Sequence, residues 1–301
     1  MILSRLRGLR PPRSNSWSQR DDWLERGLRA TAAVSGSVVL LIVLFVLWQA
    51  VPALSNVGPV RFLADSDWRP TSSPTPQFGM LPLLAGSAIV TLGAVLVATP
   101  LAVFSAVLAE FYAPQPVAWL LRRLLELLNG VPSVVFGFWG LVVVVPLINA
   151  WQPPGQSLLA GTLVLALMLI PTVALSADAA LHSISGDLQR SAAALGIGRG
   201  AIVWSLAVPL ARRGIAEGVL LGAARAVGET MAVVIVCGNI VQLPSSVFDP
   251  VRTVTANIAM EMSYATAGHR SVLFATGLVL MLATGTLAAV AGRLRHQGAR
   301  T

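Results

Sequence analysis

The chain has 301 residues, 55% of them hydrophobic and 11% charged, with a mean hydropathy of +0.75. A soluble domain carries roughly a quarter charged residues, so this composition excludes a protein surrounded by water. The formal charge of +8 comes from 21 basic residues, all Arg; they cluster beside apolar runs, which is topology-setting charge and not a face that grips nucleic acid.

In chain order, residues 1–28 read as a basic N-terminal segment with Arg5, Arg7, Arg10, Arg13, Arg20 and Arg26. Apolar runs of about 20 residues or more, long enough to cross a bilayer core, then predict six spans near 29–54, 80–111, 120–149, 157–181, 214–243 and 271–293. Together they make an all-α transmembrane domain over 29–293, followed by a short tail, 294–301. The head and apolar stretch before residue 54 exceed those of a cleaved signal, so the first span reads as a retained anchor. The third is expected to start as a surface helix before it enters the bilayer. With these spans, sixteen Arg fall on the side of the termini and four (Arg61, Arg69, Arg252, Arg270) on the other, with Arg225 inside the fifth. The positive-inside rule then makes both termini cytoplasmic.

The outer connections, 55–79 and 244–270, carry Pro59, Pro70, Pro74, Pro76, Asp249, Glu261 and Tyr264. They read either as docking segments or as solvated connectors. Cys237 reads as a small packing residue. His182, His269 and His296 lie in three separate polar segments with no metal-ligand spacing. Lacking Lys, the chain has no Walker A loop, so ATP and its Mg would be bound by another chain. No nucleophile–base pair marks an enzyme.

Three stretches stand out. Asn129 to Gly140 places Pro132, Ser133, Gly137 and Gly140 among aromatic residues where the third span enters the membrane; Pro and Gly there break a regular helix. The cytoplasmic loop 182–213 holds Ala192–Leu195, a helix former, then Gly196, then Ile202–Leu206 and Val208-Pro209. Helix, glycine turn and a second short helix stopped by Pro209 would make either a knob for a soluble partner or a surface-lying hairpin. In the fifth span, Arg225 and Glu229 are four apart and are expected to pair on one helix face. Arg225 lies about 16 Å beyond Gly214 at helical rise. A charge near mid-membrane costs at least about 2.5 kcal/mol and so faces protein or a watery path; the pair is either a packing device or part of that path. A planar guanidinium suits a tetrahedral oxyanion. The stripe Gly214, Gly218, Gly222 predicts close helix approach.

Gly196, Leu206, Val208 and Pro209 fall on the spacing of the EAA loop of ABC-importer permeases, and Ala192 matches its second Ala. Arg190 and Ser191 stand where that motif has Glu and its first Ala. The run Gly130 to Gly140 and the run Arg225-Ala226-Val227-Gly228-Glu229-Thr230-Met231-Ala232 further resemble the PstC-type permeases of phosphate importers. This resemblance implies a six-span, type I (MetI-like) permease that is not itself an enzyme, and a path for inorganic phosphate involving Arg225 and Glu229. It also implies ATPase contact through loop 182–213. The implied partners are a PstA-like sister permease, a PstB-like ATPase dimer and an extracytoplasmic PstS-like binding protein, within the lipid of a bacterial cytoplasmic membrane. The rival readings are a permease for sulfate, molybdate or phosphonate, and a stand-alone carrier or channel.

Overall fold

The structure, a computed structural model, describes residues 15–70, 72, 76–184 and 186–298. Arg5, Arg7, Arg10, Arg13 and Arg300 of the expected basic head and tail lie outside these residues. The chain divides into two compact units, Met1–Trp48 and Gln49–Thr301. The described part of the first is the beginning of helix α1 (Asn15–Val57). Its apolar side chains are exposed around the helix, from Leu24 and Leu28 to Leu44 and Leu47, the character of a helix whose solvent is lipid.

In the second unit the described residues of the outer connection 55–79, read as a docking segment or a solvated connector, are folded. Helix α2 (Pro59–Ala64) follows Gly58 at φ 81°, and strands β1 (Trp68–Arg69) and β2 (Gln77–Phe78) pair antiparallel with Trp68 opposite Phe78. Phe62 and Trp68 are buried against Met80, Leu83, Val272 and Leu273.

The centre of the unit is helix α7 (Leu158–His182) packed along helix α3 (Leu81–Val107). On α3, Val90, Ala94, Ala98, Ala102 and Ala106 repeat every fourth residue and all are buried. That row is one helix face, and its small side chains let α7 approach closely. Helix α7 brings Val164, Leu165, Met168 and Leu169 to the same core. Between α3 and α7 the chain forms α4 (Gln115–Gly130), α5 (Ser133–Trp139) and α6 (Val145–Asn149). After α7 come α8 (Gly186–Ala194), α9 (Arg199–Ala201), α10 (Val208–Val227), α11 (Met231–Val236), α12 (Val254–Glu261) and α13 (Ala267–Gly298). The glycine stripe of α10 lies on α7: a Cβ at Gly214 would come within 2.6 Å of Ala180, and one at Gly218 within 2.4 Å of Ser176. It is an intrachain packing device.

Among the described residues three π-helical turns, Leu108–Tyr112, Gly140–Val144 and Ile202–Ala207, each end two residues before a proline, at Pro114, Pro146 and Pro209. A proline lacks its N–H and crowds the preceding turn, and a widened turn relieves both. Pro209 therefore does not stop a helix, as the sequence suggested. It stands in the first turn of α10, and the rod runs helically from Arg199 to Val227.

Among the described residues four helices are long and apolar enough to cross a membrane, within Trp23–Ser55, Leu81–Tyr112, Leu158–His182 and Ala267–Leu294. The pair Gln115–Gly130 and Ser133–Asn149, bent by 96° at the break around Pro132, passes the same test together, as a broken span or a re-entrant loop. The expected span 214–243 departs most from expectation. It is two pieces, α10 and α11, separated at Gly228–Thr230. Arg212, Arg213, Glu217 and Arg225 make α10 too polar to count by hydropathy alone.

Candidate substrate path and coupling loop

Arg225 lies in the last turn of α10, which Gly228 caps. Its Nη1 donates to Asn129 Oδ1 at 3.0 Å and to Thr172 Oγ1 at 3.2 Å. Thr172 Oγ1 in turn donates to Asn129 Oδ1 at 2.9 Å. Asn129 stands at the end of α4 and Thr172 inside α7, so three separate helices meet at this guanidinium. At 1.5 Å per residue Thr172 is about 21 Å from the start of α7 and about 15 Å from its end, which puts the cluster near the middle of a spanning helix. Arg225 and Asn129 are exposed, Thr172 half-buried.

The expected Arg225–Glu229 pair is not formed: no ion pair joins them among the described residues. Because α10 ends at Val227, Glu229 lies off the helix and the four-residue spacing no longer places the two side chains together. Glu229 Oε1 instead accepts from the backbone N–H of Ala232 at 3.2 Å, within α11, and its carbonyl oxygen accepts from Thr255 Oγ1 at 2.6 Å. Glu229 lines a tight cleft with Ser87, Thr91, Thr253 and Thr255.

The two sequence runs that carried the resemblance touch. Gly137 of α5 packs on Ala232 of α11, where an added Cβ would lie 2.8 Å from the Ala232 Cα, and Asn129, just before the first run, meets Arg225. Pro132 and Ser133 form the sharp joint between α4 and α5. Gly137 and Gly140 thus serve close packing, and the joint delivers Asn129 to Arg225.

At the opposite end of α10, the loop 182–213 has the expected helix–turn–helix form. Gly196 has φ 77°, and the Ile197 N–H reaches back to the Ala192 carbonyl at 3.2 Å, the six-to-one bond of a glycine-terminated helix. Ala192 is buried and Leu206 and Val208 are half-buried, while Pro209 is exposed. Val203, Ala207 and Ala211 root the second limb on Ala106, Val107, Ala177 and Leu181 of α3 and α7. Its tip is apolar and uncovered, with Leu195 at 81% exposure.

Two networks escaped the sequence reading. Arg122, which the sequence presents as a topology charge, fastens α4 to its neighbours. It gives Asp178 two hydrogen bonds, at 2.8 and 2.9 Å, and Glu110 one, at 2.7 Å; His182 also contacts Glu110, at 3.1 Å. Glu261, in a segment read as either docking or solvated connector, is 3% exposed. Its carboxylate accepts from Trp68 Nε1, from Arg252 Nη1 at 2.9 Å and contacts His269 Nε2 at 2.9 Å. His269 is accordingly buried, not a polar-segment residue. Cys237 is buried as expected, at the close approach of Gly161.

Residues 98–300 match the family model described as binding-protein-dependent transport system inner membrane component. The chain is 39% identical over 258 residues to the probable ABC transporter permease protein YqgH of Bacillus subtilis, covering 84% of this chain and 83% of that protein. It is 33% identical over 290 residues to the phosphate transport system permease protein PstC of Xylella fastidiosa, covering 88% and 87%. The PstC of Mesorhizobium japonicum is 32% identical over 266 residues, covering 81% and 79%. In architecture it is similar to a chain of the inward-facing methionine ABC transporter MetNI, with a TM-score of 0.54 and 16% identity over 73% of this chain and 94% of that one. The likeness shows the fold. The chain therefore belongs to the binding-protein-dependent transport system inner membrane components: it is a multi-pass inner-membrane permease subunit of an ABC importer, working with an ATPase and a binding protein, and not itself catalytic.

Proposed function

We propose that the importer carries inorganic phosphate and that this chain is its PstC-type permease, assembled with a PstA-like sister permease, a PstB-like ATPase dimer and a PstS-like extracytoplasmic binding protein. The observation that carries this reading is similarity to phosphate permeases over nearly the whole chain, 88% of it for the Xylella fastidiosa protein. The site agrees in chemistry. Arg225 presents a guanidinium at mid-helix depth, and a guanidinium fork matches the oxygens of a tetrahedral anion.

In this reading both termini and loop 182–213 face the cytoplasm. The uncovered tip around Leu195 seats in the ATPase, and closure of the ATPase dimer pushes on the limb rooted at Val203 and Ala207. The rod from Arg199 to Val227 carries that push to Arg225 and Glu229, switching access from one side of the membrane to the other. No bond of the cargo is broken.

The test is uptake of radiolabelled phosphate by the assembled importer, with excess unlabelled sulfate as competitor. The expected result is saturable phosphate uptake that sulfate leaves unchanged. Uptake of sulfate in place of phosphate would overturn the cargo while leaving the importer class standing.

A further inference from the structure

We infer that Asn129 and Thr172 complete, with Arg225, a carboxylate-free anion subsite: Asn129 is a ligand of the passing oxyanion and Thr172 positions it. The inference rests on the reading that Arg225 lines the path.

Hydrogen-bond accounting orients the amide. Asn129 Oδ1 receives both the Arg225 Nη1–H and the Thr172 hydroxyl proton. Turning the amide over would set its NH2 against a guanidinium that only donates. The Nδ2 group is thereby directed away from both, and it donates to no described residue. Thr172 has one proton and spends it on Asn129, so it faces Arg225 as an acceptor. The hydroxyl thus couples the other two groups without competing for the anion. The Nε and Nη2 groups of Arg225 likewise donate to no described residue.

Charge points the same way. The guanidiniums of Arg122 and Arg252 each have a carboxylate partner within 3 Å. Among the described residues Arg225 has none, and its partners, an amide and a hydroxyl, leave its charge uncancelled. An exposed cation with an outward amide beside it, near the middle of a spanning helix, is a set of hydrogen-bond donors that a tetrahedral oxyanion satisfies. A cation or an uncharged solute finds no matching acceptors there.

The discriminating variant is Asn129→Asp. It is close to isosteric and keeps an oxygen for Arg225 and Thr172, so a strut would survive it or be strengthened. A subsite would not, because the new carboxylate cancels Arg225 and repels the anion. In the reconstituted importer, uptake per assembled complex is expected to fall about tenfold or more, the scale of a lost charge-assisted hydrogen bond. Thr172→Val, which removes the hydroxyl, is expected to raise KM about threefold to tenfold with Vmax held, and Thr172→Ser to restore KM. Wild-type KM and Vmax in Asn129→Asp would overturn the inference. If that variant does not assemble, the Thr172 pair decides it: an unchanged KM in Thr172→Val overturns it, and a raised KM rescued by Thr172→Ser supports it. Measuring phosphate and sulfate in parallel separates this result from the cargo. Sulfate uptake by the parent importer would overturn phosphate yet leave the subsite to be read on sulfate. Normal phosphate uptake by both variants would overturn the subsite alone.

Discussion

Arg252 and Arg225 are both arginines set among packed helices, and they are treated in opposite ways. Arg252 gives Nη1 to Glu261 at 2.9 Å and to Asn257 at 3.1 Å, and Nε to the Asn239 carbonyl at 2.9 Å. Its side chain is 18% exposed and that of Glu261 5%. Trp68 and His269 occupy the rest of the carboxylate. The Glu261 carboxylate is held by Trp68, Arg252 and His269 and serves as a fastening between β1, α12 and α13. Arg225 is held by neutral groups only and is exposed. A half-buried arginine with its own carboxylate fastens the fold, whereas in the proposed subsite one held by an amide and a hydroxyl keeps its charge for a passing anion.

The largest effect expected from this contrast is on the closed side. Glu261→Gln leaves Arg252 without its countercharge, and breaking a buried pair from one side costs about 3–5 kcal/mol. The thermal midpoint in detergent and the yield of assembled complex should both drop, with uptake falling in proportion to complex. Uptake lost at full yield would move Glu261 from fastening to path. Arg225→Gln should do the reverse. Removing an exposed charge held by neutral partners changes stability by less than about 1 kcal/mol, so complex forms at parent levels while uptake is abolished. Glu229→Gln keeps an acceptor for the Ala232 N–H and should also impair uptake at full yield. Uptake by Arg225→Gln in line with complex yield would return the arginine to packing.

A smaller and local effect belongs to Gly196. A side chain at φ 77° costs about 1–2 kcal/mol, but nothing lies within 4 Å of an added Cβ, so the bundle is untouched. Gly196→Asp should therefore leave the permease in the membrane and weaken ATPase co-purification. Unchanged co-purification together with normal uptake would show that this turn is not where the ATPase docks.

Much of this was legible from local sequence. The spans expected at 80–111 and 157–181 stand as helices within two residues of those limits, counting the π turn after α3. The glycine turn at Gly196 was marked by the residue itself. What could not be read depends on distant partners. The apolar run Met231–Val236 looks like more of the same span. It is cut off because Glu229 is held through Thr255, and because Gly238 at φ 84° turns the chain to bridge Val251. Asn129, Thr172 and Arg225 are 43, 53 and 96 residues apart in their pairings, and nothing near Asn129 marks it as more than the polar end of a helix. Glu261 sits in a polar stretch, and its burial is decided by Trp68, 193 residues away.

Asp249 sharpens the contrast from the other direction, because it too is a charge held by neutral donors. Its Oδ2 accepts from the Ser245 and Ser246 N–H groups at 2.7 and 2.9 Å and from the Ser245 hydroxyl at 2.9 Å. Backbone donation from Ser246, then from Ser245, followed by the Ser245 hydroxyl, holds its pKa below the ordinary aspartate range. Neutral partners alone therefore do not mark a path. Here the donors come from the same short turn and serve to close it. The closed turn caps the start of α7, where the Asp249 and Val247 carbonyls accept from the Leu158 and Leu159 N–H groups at 2.9 and 2.8 Å. The sign of the pH effect follows from the lowered pKa. A carboxylate that ionises more readily when folded stabilises the turn at neutral pH, and that contribution is lost only as the pH falls through its lowered value. Hydrogen exchange at Leu158 and Leu159 should therefore show no loss of protection attributable to Asp249 between pH 7 and pH 5, once the intrinsic pH trend is removed. Asp249→Ala should speed exchange at those two amides at pH 7 while uptake by the assembled importer stays within about twofold of the parent, as for an ordinary surface substitution. If Asp249→Ala instead abolished uptake with the complex intact, a neutral-donor carboxylate outside the bundle would matter as much as the cation within it, and the distinction between closed and available charges would fail.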